Sequence, residues 1–170
     1  MNIRTLQADD VERLLAFELA NRSWFEQHVE AREPAFYTAA GVAAHVADYL
    51  ASHAAGTMHP CVLTSDDGAA IIGRANLRRI DHVSGIGEAG YRIAREQARQ
   101  GLGSQALDHL MGLARTHYGL RILNAWISPQ NLGSRRILEK RGFMRDALAA
   151  PHVVQVNGQA HTSHLYQCHL

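Results

Sequence analysis

Two stretches of this 170-residue chain carry residue types at spacings that suit chemistry. The first, Arg99-Gln100-Gly101-Leu102-Gly103-Ser104, sets two glycines one residue apart at the head of an amphipathic run. Such spacing lets the backbone turn several N–H groups toward one point, and a helix start adds unpaired donors and the positive end of its dipole. A pyrophosphate fits that cradle. The second stretch opens on Asn131 and Ser134 and closes on Leu138-Glu139-Lys140-Arg141-Gly142-Phe143, joining a capping amide, a hydroxyl one helical turn later and a glycine stop.

Gly101, Gly103 and Ala106 also spell the dinucleotide fingerprint G-x-G-x-x-A. A nicotinamide-binding unit needs an acidic residue about 20 positions further on to hold the ribose hydroxyls. No Asp or Glu stands between Asp108 and Glu139, and the motif follows a long run of other predicted elements instead of opening the fold. The pattern therefore serves a phosphate, not a nicotinamide dinucleotide.

The elements that position these stretches follow from periodicity and punctuation. Residues 2 to 6 read as a strand, and Asp9 or Asp10 caps a helix with Val11, Leu14, Leu15 and Leu19 on one apolar stripe. Asn21 to Tyr37 reads as an aromatic-rich connection, a length seldom left without function. Thr38 caps a second helix that buries Val42, Val46, Tyr49 and Leu50. Cys61 to Thr64 and Ala69 to Arg79 form two strands around the turn Ser65-Asp66-Asp67-Gly68, and Gly85 to Ala94 continues the meander into the cradle. A helix from Ser104 to Tyr118 buries Leu107, Leu110, Met111 and Ala114. The strand Arg121 to Ile127 then returns parallel to the one before it. Pro129 ends that strand, a helix from Gln130 to Arg141 stops at Gly142, and Asn157-Gly158 turns a terminal hairpin.

On these residues the chain resembles the GNAT superfamily of acetyl-CoA-dependent N-acetyltransferases. The family pattern Gln/Arg-x-x-Gly-x-Gly/Ala falls on Ala98-Arg99-Gln100-Gly101-Leu102-Gly103, with Ala98 as its departure; Arg95, Arg99 and Arg135 could restore charge. Asn131-x-x-Ser134 with Ile137 to Phe143, Gly90-Tyr91-x-Ile93, Trp24-Phe25 and Val156-Asn157-Gly158 look like the branch that acetylates the N-termini of ribosomal proteins. The resemblance implies one α/β (α+β) domain over residues 1–170, built on a mixed, splayed sheet of about six or seven strands with about four helices. Its cosubstrate is acetyl-CoA and it uses no metal.

The resemblance also assigns roles. Backbone donors near Ile93 would face the thioester carbonyl, the stretch Arg99, Gln100, Gly101, Leu102, Gly103 and Ser104 would hold the diphosphate, and the Asn131 amide would reach pantetheine while capping its helix. Many members place a tyrosine where this chain has Leu138, so proton delivery to the departing thiolate falls to Ser134, unless that hydroxyl bonds its own helix. Trp24, Phe25, Arg32, Phe36 and Tyr37 would wall the acceptor side, although the aromatic residues equally suit core packing.

Magnitudes bear on the acceptor. Deprotonating an α-amine of pKa near 8 at pH 7 costs ~1 kcal/mol, against ~4.6 kcal/mol for a lysine near 10.4. A chain without an evident embedded base suits an N-terminus or another weakly basic amine. Glu88 is the first choice for a base, followed by Asp81 and His59. The alternatives are acetylation of an antibiotic, an amino-acid analogue or a polyamine, and a non-catalytic acyl-CoA sensor.

Composition limits the remaining classes. With 46% hydrophobic and 19% charged residues and a net charge of +1, the chain lacks the basic excess of a nucleic-acid partner. The cluster Arg74, Arg78 and Arg79 reads as a solvated strand edge. No apolar run reaches membrane-span length and no leader is evident, so a cytoplasmic monomer or homodimer is expected. Cys61 and Cys168 are too few for a disulfide framework, and the spacing of the eleven histidines does not suit a metal site.

Overall fold

A computed structural model of the chain describes all residues except His28, Asn157 and Gly158, together with all side chains of the rest but Val154. The expected turn at Asn157-Gly158 thus lies outside the described residues. The elements are β1 (Asn2–Thr5), α1 (Val11–Phe25), α2 (Ala39–Ala54), β2 (His59–Thr64), β3 (Ile71–Asp81), β4 (Ile86–Ile93), α3 (Leu102–Gly112), β5 (Ile122–Ile127), α4 (Leu132–Glu139), β6 (Met144–Arg145), β7 (His152–Val156) and β8 (Gln159–His169). The strands join in the order β1-β2-β3-β4-β5-β8-β6, with β7 on β8, and all neighbours are antiparallel except β4 and β5. Eight strands and four α-helices give the mixed, open sheet expected, one strand beyond the upper count because β6 is only two residues long.

Helices cover both faces of the sheet, so its central strands bury residues on both sides. β2 is buried at every position: Val62 packs with Leu14, Phe17, Val42 and Val46 of α1 and α2, while Cys61 and Leu63 face Leu107 and Leu110 of α3. In α3 the buried set Leu102, Ala106, Leu107, Leu110 and Met111 follows the 3.6-residue repeat of one helix face. Leu138 and Phe143 close the same core where Gly142, at φ +81°, takes the left-handed turn that ends α4.

Several boundaries differ from expectation for identifiable reasons. α1 continues through Asn21 to Phe25, because that segment holds no breaker, and the connection begins only after it. Its buried face is Leu14, Phe17, Glu18, Asn21 and Phe25, one helical row displaced from Leu19, which is half exposed. Asp10 does not cap α1 with its side chain. Its carboxylate takes both Nη atoms of Arg4 at 2.7 Å and the Gln7 amide at 2.9 Å instead. Thr38 does cap α2, accepting from the Gly41 amide at 3.0 Å. α3 begins two residues early, at Leu102, which moves Gly103 into the first turn, and a π turn over Leu113–His117 ends it. Among the described residues no helix is long and apolar enough to cross a membrane.

Candidate active site

β4 and β5 pair only where Ile86, Gly87 and Glu88 meet Ile122, Leu123 and Asn124. Beyond Glu88 the two strands diverge, since β4 runs on to Ile93 and β5 to Ile127 without further pairing between them. The Ala94 amide donates to Ile72 O at 2.9 Å on the β3 side, and alternation along β4 turns the amides of Tyr91 and Ile93 the other way, into the gap. Two cavities open from this splay.

The larger, about 470 Å³, is lined by Ile93, Arg99, Gly101, Leu102, Gly103 and the start of α4. Gly101 sits at φ +82° and Arg99 at φ +65°, a left-handed kink that feeds directly into α3. The amides of Arg99, Gln100, Gly101, Leu102 and Gly103 find no acceptor among the described residues, whereas those of Ser104 and Gln105 already bond to Gly101 O at 3.0 and 3.1 Å. Ser104 is therefore spent inside its helix, and the Gln100 side chain turns back to Glu96 O at 3.1 Å. Successive free donors at a helix start suit a diphosphate. Gly103 has a second reason to be glycine: a Cβ there would stand 3.0 Å from the Tyr91 ring and 3.1 Å from Ile137.

The smaller cavity, about 330 Å³, lies on the other side of the splay and is lined by Arg32, Arg74, Arg78, Asn76, Trp126 and Ser128. Val29, Tyr91, Arg92, Asn131 and Ser134 line both cavities and mark their junction. Asn131 caps α4 by accepting from the Ser134 amide at 3.1 Å. No hydrogen bond joins the Ser134 hydroxyl to the preceding turn among the described residues, and the group nearest in its influence is Tyr91. Burial pushes the Tyr91 phenol up, and its interaction with Ser134 opposes that push.

The other expected residues fall in different places. Trp24 and Phe25 line the cradle-side cavity, not the acceptor side, because α1 carries them past the end of the sheet toward Gln97 and Ala98. Tyr37 lines neither cavity; its hydroxyl reaches Glu26 at 3.4 Å and Arg22 lies over its ring. Glu88 is buried, but Arg78 and Arg79 take its two oxygens at 2.6 and 2.9 Å, so its carboxylate is not free. Asp81 binds Ser84 in a turn, and His59 lies among other rings away from both cavities.

Sequence reasoning missed a buried ionic cluster. Arg74, read as a solvated edge, is 3% exposed and donates to the fully buried Glu18 of α1. Arg92 stands 3.8 Å from the second Glu18 oxygen, and Arg74 also meets His45 Nε2 at 2.7 Å. Burial, then the charges of Arg74, Arg32 and Arg92, hold the His45 pKa down to about 3, so this imidazole is neutral. A glutamate on the apolar face of α1, in a row with Leu14 and Phe25, was the available signal.

Residues 1–144 match the family model described as acetyltransferase (GNAT) domain. The chain belongs to the GNAT acetyltransferase family. A probable N-acetyltransferase of Bacillus subtilis (strain 168), YjcK, is 28% identical over 160 residues, covering 92% of this chain and 86% of the relative. The ribosomal-protein-S5-alanine acetyltransferase of Vibrio fischeri superposes with a TM-score of 0.90 at 19% identity, over 98% of this chain and 91% of that one. Mycobacterium smegmatis RimJ, solved with a CoA disulfide, gives 0.87 at 19% identity, over 98% and 80% of the two chains. This GNAT protein is thus an acyltransferase, with the family's acyl-CoA chemistry and an acceptor that fold likeness alone does not choose.

Proposed function

We propose that this enzyme transfers acetyl from acetyl-CoA directly to a primary amine, a protein N-terminal α-amine or the amine of a small molecule, in a ternary complex. The observation that carries this reading is the junction. A groove with five unpaired amides at one end meets a second, polar cavity at Tyr91, Asn131 and Ser134, where two strands have parted. In it the diphosphate rests on the amides from Arg99 to Gly103, and the pantetheine arm lies along β4. The amides of Tyr91 and Ile93 donate to the thioester oxygen as charge develops there.

Ser134 delivers a proton to the departing thiolate. A thiol of pKa about 8.5 is a modest leaving group, and a hydroxyl relaying a proton from water is adequate for it. Tyr91 lies beside that hydroxyl, and its own buried hydroxyl, which stays protonated, has no hydrogen-bond partner among the described residues. We assign Glu88 to positioning: with both oxygens on arginines it anchors Arg78 at the wall of the acceptor cavity and does not remove the amine proton. The two buried free thiols, Cys61 and Cys168, suit a reducing, cytoplasmic setting.

Thiol release from acetyl-CoA, measured against N-terminal dipeptides, amino-acid analogues and polyamines, tests the reading. Turnover with at least one class is expected. CoA binding without release from any amine would make the protein a sensor.

A further inference from the structure

The acceptor cavity has an unbalanced charge. Arg32, Arg74 and Arg92 all line it, facing two carboxylates among the described residues, Glu18, buried behind Arg74, and Glu30 of the lining itself. His45 adds no negative charge, and Glu30 stands at the exposed rim. Across the cavity Arg78 pairs with Glu88, whose second oxygen takes Arg79, an exposed residue outside the lining. Four guanidiniums lining the cavity thus meet three carboxylates, Glu18, Glu30 and Glu88, an excess of one.

Arg32 is the residue with unused capacity. It stacks on Phe36 with its guanidinium 4.0 Å from the ring centre, and its Nε is buried without a hydrogen-bond partner. Burial, then the charge of Arg74, lowers its pKa, against the pull of Glu18. Its planar fork is the shape that binds a carboxylate through two parallel bonds. The same charge is not accounted for by the cosubstrate, because Arg32 and Arg74 line only the acceptor cavity and the diphosphate has its own amides on the other side of the splay.

We propose that the acceptor is an amine that also bears a carboxylate, held by Arg32 with Arg74 and Arg92 behind it so that its amino group reaches Tyr91 and Ser134 at the junction. This rests on the acetyl-transfer reading and narrows it: amino acids, their analogues and acidic N-termini are substrates, and polyamines are rejected. An oligoammonium placed against uncompensated guanidiniums meets like charge in a partly desolvated site.

The test uses the full chain with acetyl-CoA and pairs of amines that differ only in carboxylate against carboxamide, such as glutamate with its amides. Spermidine and dipeptides with acidic or neutral second residues are added as separate arms. The carboxylates are expected to exceed their amides in kcat/KM by at least about tenfold, which corresponds to about 1.4 kcal/mol. Arg32→Gln should bring that ratio close to one and Arg32→Lys should restore part of it, with the effect in KM more than in kcat. A preference for acidic dipeptides over free amino acids assigns the carboxylate to a peptide terminus; the reverse assigns it to a small molecule. Equal rates for the pairs, a preference for spermidine, or an Arg32→Gln variant that loses CoA affinity with its ratio intact would overturn the proposal while leaving acetyl transfer standing. No thiol release from any arm, with CoA bound, would remove the acetyl-transfer reading itself.

Discussion

Glu18→Gln is the substitution that most directly tests the ionic cluster. The change keeps the shape of a fully buried side chain and deletes its charge, leaving Arg74, 3% exposed, without a counter-ion. Removing one partner of a buried pair costs about 3–5 kcal/mol, because the remaining charge stays desolvated. Arg92 at 3.8 Å loses the same counter-charge, while the glutamine oxygen can still accept from Arg74, which places the expectation near ~3 kcal/mol. For a domain of this size that is about 6–12 °C in Tm. Urea titration followed by circular dichroism should show a lower midpoint with an unchanged slope, the signature of altered stability. The double variant Glu18→Gln/Arg74→Met should recover part of the loss, since the buried Arg74 charge that had lost its counter-ion is removed with it. A single variant within about 0.5 kcal/mol of the parent would refute the reasoning, as surface substitutions behave that way. So would a double variant whose loss equals the sum of the singles.

Other expectations follow from the same geometry. Gly101→Asp forces a side chain into φ +82° and sets a negative charge against the diphosphate; CoA affinity measured by calorimetry should fall by at least about a hundredfold, or ~2.7 kcal/mol, and an unchanged affinity would contradict the cradle. Ser134→Ala should lower kcat by about tenfold or more with CoA affinity within about twofold, and an unaltered rate would reduce Ser134 to a residue of the helix. His45 and His59 are held down to about 3 and about 4 by burial first and neighbouring cations or rings second, so they stay neutral in the folded protein while the unfolded chain takes up protons below 6.5. Stability is fully present above pH 6.5 and declines as pH falls toward 4. Thermal melts of a His45→Gln/His59→Gln variant should show a shallower decline over that window.

Much of this molecule was legible from its sequence because the informative features are local. Gly101 declares a positive φ, Thr38 and Asn131 declare caps, Gly142 declares a helix end, and the alternation of β2 through β4 declares a meander. Each of these is fixed by a few neighbouring residues. Pairing across long separations was not legible. Glu18 and Arg74 are 56 residues apart and look like a helix surface and a strand edge until the sheet brings them together. The family resemblance sets Trp24 and Tyr37 on the acceptor side; helix continued through Phe25 in the first case and a short 3-10 turn over Pro34–Tyr37 in the second carry them to other surroundings. Glu88 illustrates the limit from another side, since its position at the fork was readable but the two arginines that occupy it come from the neighbouring strand.

The charge imbalance also bears on the missing base. The two buried carboxylates beside the splay, Glu88 and Glu18, are both tied to arginines, and Glu30 stands only at the exposed rim. Yet an amine need not be deprotonated by a partner if its surroundings disfavour the ammonium. Guanidiniums in excess on the cavity wall do this by repulsion, in the same way that they lower one another: Arg92 falls to about 10, first through burial and then, against the pull of Glu18, through Arg32 and Arg74. An α-amine at pKa near 8 needs a depression of only about one unit, or ~1.4 kcal/mol, to be half neutral at pH 7, whereas a lysine needs more than three. The same arginines that would hold an acceptor's carboxylate thus favour the reactive form of a weakly basic amine beside it, and water suffices to carry the proton away. The cluster selects for an amine and a carboxylate in one molecule by acting on both groups at once.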